Sequence, residues 1–271
     1  MRALQRSSWP VWVGASVAFA GLAVWDRSAR LSFTDSKFAI GYILFALMVF
    51  LALYNGRKRL SMLPLGKASV WLSLHLIGSL LALALFWLHI GTIWPTGAID
   101  RTLAAFFYAV SASGVIGYAL QLWIPGRLVH AGPEIIYERI PGEIAAIRGQ
   151  VEKALLEAAE ESGSETLGRD YTETLAWYFA QPRFFWSNVL GGGHAEHWLQ
   201  RHIDTIGRYL TEAERSHLAR IVEMVSDKRR IDVQYALQTL LKHWTIFHVP
   251  LAAAMLTLAV WHLIIVHVFA Q

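Results

Sequence analysis

Four histidines share one spacing. His75 and His89 stand fourteen residues apart in one apolar run, and His248 and His262 stand fourteen apart in and at the start of another. Over fourteen residues an α-helix rises about 21 Å and turns roughly 1400°, about 40° short of four full turns. Each pair therefore faces one way at two depths, and two such helices side by side set imidazole against imidazole at two levels. Neutral imidazole is a good iron ligand. Two of them on one iron fill both axial positions and leave none open for dioxygen or a substrate. Such a centre passes electrons, and its burial and the hydrogen bonds around its ligands tune its potential. A histidine alone in a membrane helix is often a hydrogen-bonded packing residue, yet ionisable groups at membrane depth are costly and mark function by default. Depth favours ligation here: His75 follows Lys67 by eight residues and His248 follows Lys242 by six, so both pairs begin at a similar distance from a basic boundary.

The surrounding elements must then be membrane helices. The 271 residues are 55% hydrophobic and 16% charged, with a mean hydropathy of +0.39, too apolar for an ordinary soluble domain. Twelve tryptophans fit interfacial belts. The absence of cysteine excludes disulfides, cysteine-ligated clusters, covalent c-type haem attachment and thiol catalysis within the chain. The net charge of +4 sits in loops, and no basic groove interleaved with aromatics points to nucleic acid.

The expected fold is an all-α integral membrane protein, a five-span bundle with a helical cytoplasmic insertion between spans four and five. Spans are expected over about residues 10–25, 38–54, 68–94, 102–124 and 248–269, the fourth ended by Pro125-Gly126. The chain thus divides into 1–125, 126–242 and 243–271. The first run follows a basic start like that of a signal peptide, but no small-residue cleavage site follows Trp25-Asp26-Arg27, so it reads as a retained span. Loop 57–67 carries Arg57, Lys58, Arg59 and Lys67 with no acid and is expected in the cytoplasm. That places the N-terminus and the insertion inside and the C-terminus in the periplasm of a bacterial inner membrane. Spans three and five then run in parallel, pairing His75 with His248 at the inner level and His89 with His262 at the outer.

Within the insertion, Ile144, Ile147, Val151, Leu155 and Ala158 or Ala159 form one helical stripe over 144–161, broken at Ser162-Gly163-Ser164. A second helix is expected over 171–179, an aromatic, glycine-rich loop over 181–193 and a third helix over 195–209. Thr211-Glu212-Ala213-Glu214 is a capping box opening a fourth, which runs through 232–241 toward the last span.

These residues resemble the di-haem transmembrane cytochrome b superfamily, in which a helical bundle holds two b-type haems between two helices. The match lies in His75-x13-His89 with His248-x13-His262, within Trp71-Leu72-Ser73-Leu74-His75, Phe86-Trp87-Leu88-His89-Ile90-Gly91 and His248-Val249-Pro250-Leu251. It covers the spans, about half the chain. The resemblance implies two haem b groups, the inner iron held by His75 and His248 and the outer by His89 and His262, and a quinone as a further candidate cofactor. It also implies an electron-transfer subunit of an oxidoreductase complex, with membrane lipid around it. Its redox partners would include a c-type cytochrome outside and a protein docking on the insertion. The order departs from the quinol-oxidising cytochromes of respiratory bc complexes, since the ligand helices are the third and fifth of five. No quinol-site signature is present.

Two further readings compete: the haem subunit of a ferric- or oxygen-reducing oxidoreductase with a separate reductase, and a non-redox scaffold. The insertion has no Gly-x-Gly-x-x-Gly fingerprint, so the former needs a partner for flavin and nicotinamide. His267 is the rival to His262, and His243 and His267 are candidate partners for propionates or a quinone. His194, His197 and His202, with Glu196 among them, offer a metal set, for which solvated or capping roles are the plainer reading. Glu134, Tyr137, Glu138 and Arg139 mark a docking or quinone-site segment or simply an interfacial helix start. Gly78, Gly114 and Gly117 admit a flat macrocycle or a neighbouring helix.

Overall fold

Helices make up most of the computed structural model, which describes residues 2–31, 36–59 and 67–269. The loop 60–66 and the side chains of Arg57, Lys58 and Arg59 lie outside the described residues, and so does most of the basic loop. The order is α1 (Arg2–Leu31), α2 (Lys37–Arg59), α3 (Ala68–Ile90), α4 (Ala98–His130), a 3-10 turn (Tyr137–Arg139) and α5 (Ile140–Ser162). Then come α6 (Thr166–Asp170), a π-helical turn (Tyr171–Leu175), α7 (Ala176–Ala180), α8 (Phe185–Leu190), α9 (His194–Ile206) and α10 (Glu212–Phe269). There is no strand among the described residues.

Four of these helices, α2, α3, α4 and α10, are long and apolar enough to cross a membrane. The described residues are all-α, and these four helices are candidate membrane spans, which suggests an integral membrane protein. The run 10–25, expected as the first span, lies within α1 and is not among the four, diluted by Trp9, Pro10, Trp12 and Ser16 and followed at once by Asp26 and Arg27.

Residues 1–116 and 245–271 form one unit, and residues 117–244 form the other. In the first, α3 packs closely against α1 and α2. Its core joins Leu44 and Met48 of α2, Ala82, Leu85 and Phe86 of α3, Ala104 and Phe107 of α4, and Met255 and Ala259 of α10. Phe86 stacks on Phe107 with ring centroids 4.2 Å apart. Lipid tails are as apolar as leucine, so packing of this kind and hydrogen bonds, not water exclusion, hold membrane helices together. Gly78 is where the backbones of α2 and α3 close up, for a Cβ there would stand 2.9 Å from a Leu51 methyl. The apolar run continues to Trp94, but α3 stops at Ile90. Gly91 takes a left-handed conformation (φ 67°) and its N–H donates to Trp87 O at 2.9 Å, closing the helix.

The second unit has its own core, in which Val151, Ala154 and Leu155 of α5 meet Tyr178, Phe179, Leu199, Leu218 and Ile221. Gly163 (φ 64°) ends α5 where the Ser-Gly-Ser break was expected. The stretch expected as one helix over 171–179 is instead a π turn followed by α7, and the glycine-rich stretch contains α8, opened by Phe184 at φ 54°. The Asn188 amide donates to Arg183 O at 2.9 Å and stabilises that sharp entry. The capping box forms: Thr211 N donates to Glu214 Oε2 at 2.9 Å and Glu214 N to Thr211 Oγ1 at 3.4 Å. The helix it opens continues unbroken through Pro250 to Phe269. α4 likewise passes through Pro125, where a stop was expected. An interior proline costs roughly 3 kcal/mol. Contacts beyond it offset this cost: Arg127 lies over Trp123 at 4.9 Å and donates to the carbonyls of Asn188 and Val189. A Cβ at Gly117 would collide with the Trp244 indole, so this glycine admits the partner helix rather than a cofactor.

One ion pair is wholly buried. Lys228 Nζ stands 2.6 Å from Asp232 Oδ2, donates to Gln181 O at 3.0 Å and lies 4.0 Å over the Tyr178 ring. Burial pushes Lys228 down to about 8 and Asp232 up to about 6, so desolvation outweighs their attraction. We predict that Lys228→Met destabilises the protein by about 3–5 kcal/mol, because it strands a buried carboxylate, whereas Lys228→Met with Asp232→Leu recovers most of that loss. Thermal unfolding of the two variants checks this.

Candidate functional site

The four matched histidines lie on α3 and α10 in the first unit, and all four are half-buried. His75 and His248 are within electrostatic range of each other. So are His89 and His262. The backbone of α3 packs close to α1 and α2. Between the two levels lie Ala82, Leu85 and Phe86 on α3 and Met255 and Ala259 on α10. Ala82 and Met255 each follow the first histidine of their helix by seven residues, two turns, and so share its face.

Each ring turns its Nδ1 toward a group that accepts. His75 Nδ1 lies 3.2 Å from Leu51 O, where the C-terminal half of α2 passes, and the ring also packs on Tyr54 at 5.0 Å. His89 Nδ1 lies 3.0 Å from Lys37 O at the start of α2. Gly41 makes that approach possible, since a Cβ there would stand 2.8 Å from His89 Cε1. His248 Nδ1 lies 2.6 Å from Ser113 Oγ. The Ser113 hydroxyl is also within hydrogen-bond distance of Val110 O at 2.8 Å. His262 Nδ1 lies 3.5 Å from Asp100 Oδ1. A carbonyl cannot donate, so Nδ1 of His75 and His89 must carry the proton, and in the neutral ring Nε2 is left with its lone pair. Hydrogen bonding of this kind fixes tautomer and ring orientation in metal-ligating histidines. The arrangement fits two bis-imidazole iron centres in both donor chemistry and pairing.

The sequence pointed to the histidines but not to the groups behind them. Ser113, Asp100, Gly41 and the Leu51 carbonyl had no signal, because each acts through a contact between helices far apart in sequence. Gly114 approaches the His248 ring, its Cβ position lying 3.8 Å from Cε1. His267, the rival at the second level, has its Nδ1 3.3 Å from the Tyr42 hydroxyl.

The other candidates serve the second unit. His202 Nε2 pairs with Asp170 at 2.9 Å and its ring stacks on Trp198. Glu196 pairs with Arg229 at 2.8 Å. No group of three or more metal-ligating side chains forms among the described residues, at His194, His197 and His202 or elsewhere. The segment at 134–139 is strapped to α10. Gln234 bonds Ile135 N and Pro133 O, Tyr137 stacks on Tyr235, and Lys242 reaches both Glu138 and the Tyr137 ring. No family model, curated protein or solved structure matches the chain.

In cofactor-free protein at neutral or higher pH, we predict that His75 and His89 are Nδ1–H tautomers with unprotonated Nε2. Their 15N shifts check this, and an Nε2–H tautomer at either ring would contradict the arrangement.

Proposed function

We propose that the chain is a di-haem b-type membrane cytochrome, the electron-transfer subunit of an oxidoreductase complex, with α1 as a fifth span. His75 and His248 would hold one haem iron, and His89 and His262 would hold the other. The observation that carries this reading is the shared orientation of the four rings, Nδ1 toward an acceptor, at two levels on facing helices. When bound, each haem iron takes up and releases one electron. The protein's own groups do the rest. Leu51 O, Lys37 O, Ser113 and Asp100 hold the ring planes. Gly41 and Gly114 leave space for two of the rings. The apolar layer of Ala82, Leu85, Phe86, Met255 and Ala259 keeps water from the path between levels that lie about 21 Å apart along each helix. Two imidazoles would hold each haem, and the chemistry so supplied would be electron transfer without substrate binding at iron. The electrons would pass between quinol or a protein docked on the 117–244 unit and a c-type cytochrome outside, in either direction.

The pairing gives the test. His89→Ala and His262→Ala should each abolish, or convert to high spin, the same component of the reduced-minus-oxidised spectrum, and His75→Ala and His248→Ala should each affect the other. Gly41→Val, which pushes on the His89 ring, should perturb the His89 component alone. If His267→Ala removed the component lost in His89→Ala while His262→Ala left it intact, the second-level assignment would fail.

A further inference from the structure

A cavity of about 500 Å³ opens between the end of α4 and the polar half of α10. Arg127, His130 and Ala131 line it from one side, and Ser226, Arg229, Arg230 and Val233 from the other. On each helix these positions recur at i, i+3 and i+4, so two faces confront one another. Arg229 and Arg230 have half-exposed acidic partners, Glu196 at 2.8 Å and Asp227 at 3.2 Å, neither of which lines the cavity. Arg127 differs. Among the described residues its guanidinium bonds only neutral groups, the carbonyls of Asn188 and Val189 and the Trp123 ring. It is thus fixed in place with no carboxylate to balance its charge. Arg127 thus brings an unbalanced charge to a cavity shared with two further arginines, and the planar guanidinium matches the oxygens of a phosphate.

The position of the cavity along α4 selects the source of that phosphate. Ile124 ends the apolar run of α4, and Arg127 and His130 follow it by three and six residues, about 5–9 Å of helix rise. A headgroup layer is about 5–8 Å thick on each side of the hydrocarbon. The stretch that holds Arg127 also presents apolar side chains to the outside: Leu190 is 77% exposed and Trp186 is 68% exposed. Gly191, at φ 76° and with its Cβ position 3.1 Å from Arg127 Nη2, lets this stretch close on the guanidinium.

We infer that this cavity binds the phosphodiester headgroup of an anionic phospholipid, with Leu190 and Trp186 against the upper acyl chains. The inference rests on the membrane spans and not on the haem reading. The test uses delipidated full-length protein in neutral detergent, titrated with cardiolipin, with phosphatidylcholine and with inorganic phosphate, and read by native mass spectrometry and thermal shift. Arg127 is left intact because it also holds the α8 stretch. Wild type should retain cardiolipin and be stabilised by it, and by neither of the others. Arg229→Gln with Arg230→Gln should weaken cardiolipin binding by roughly thirtyfold while leaving the unfolding temperature without lipid within a few degrees. Equal binding of phosphatidylcholine would overturn the inference, as would an unchanged cardiolipin affinity in the double variant. Saturation by inorganic phosphate alone would also overturn it, in favour of a free-phosphate site.

Discussion

An imidazole at membrane depth has one proton to place, and the first unit is arranged around where four of them go. In hydrocarbon a polar group without a partner costs several kcal/mol, so each ring must find an acceptor or be ligated. The partners are drawn from two other helices: two carbonyls of α2, and a hydroxyl and a carboxylate of α4. Membrane hydrogen bonds of this sort contribute on average only about 0.6 kcal/mol each. Their consequence is orientation more than stability. With Nδ1 committed at His75 and His89, Nε2 becomes the lone-pair nitrogen of those rings in the neutral state.

The rest of the first unit follows from keeping those rings in place. α2 packs tightly on α3 because Gly78 and Gly41 remove side chains where the helices and a histidine ring approach. α3 and α10 share one apolar core between the histidine levels. Pro250 sits two residues after His248 and removes an amide from the α10 ladder, a place where a long helix can bend.

The helices and the shared face of each histidine pair were legible in the sequence because both depend on short-range regularity. Apolar runs give spans, a spacing of fourteen gives a shared face, and Thr211 with Glu214 gives a helix start. Features set by contact across the fold were not legible. Pro125 reads as a stop until Arg127 is seen tied to Trp123 and the α8 carbonyls. The 171–179 stretch reads as one regular helix, yet Tyr171, Leu175, Tyr178 and Phe179 all turn into the second core, and the backbone takes a π turn on the way. Asp100 and Ser113 look like an ordinary loop acid and a helix serine until His262 and His248 are placed beside them.

The central claim is that two bis-histidine levels hold two haems. The most direct measurement is a pyridine haemochrome assay on purified, monodisperse protein, normalised to chain concentration by amino-acid analysis. The account predicts two non-covalent b-type haems per chain, both low-spin by electron paramagnetic resonance. Well-folded protein carrying no haem when expressed with haem supplied in excess would contradict it.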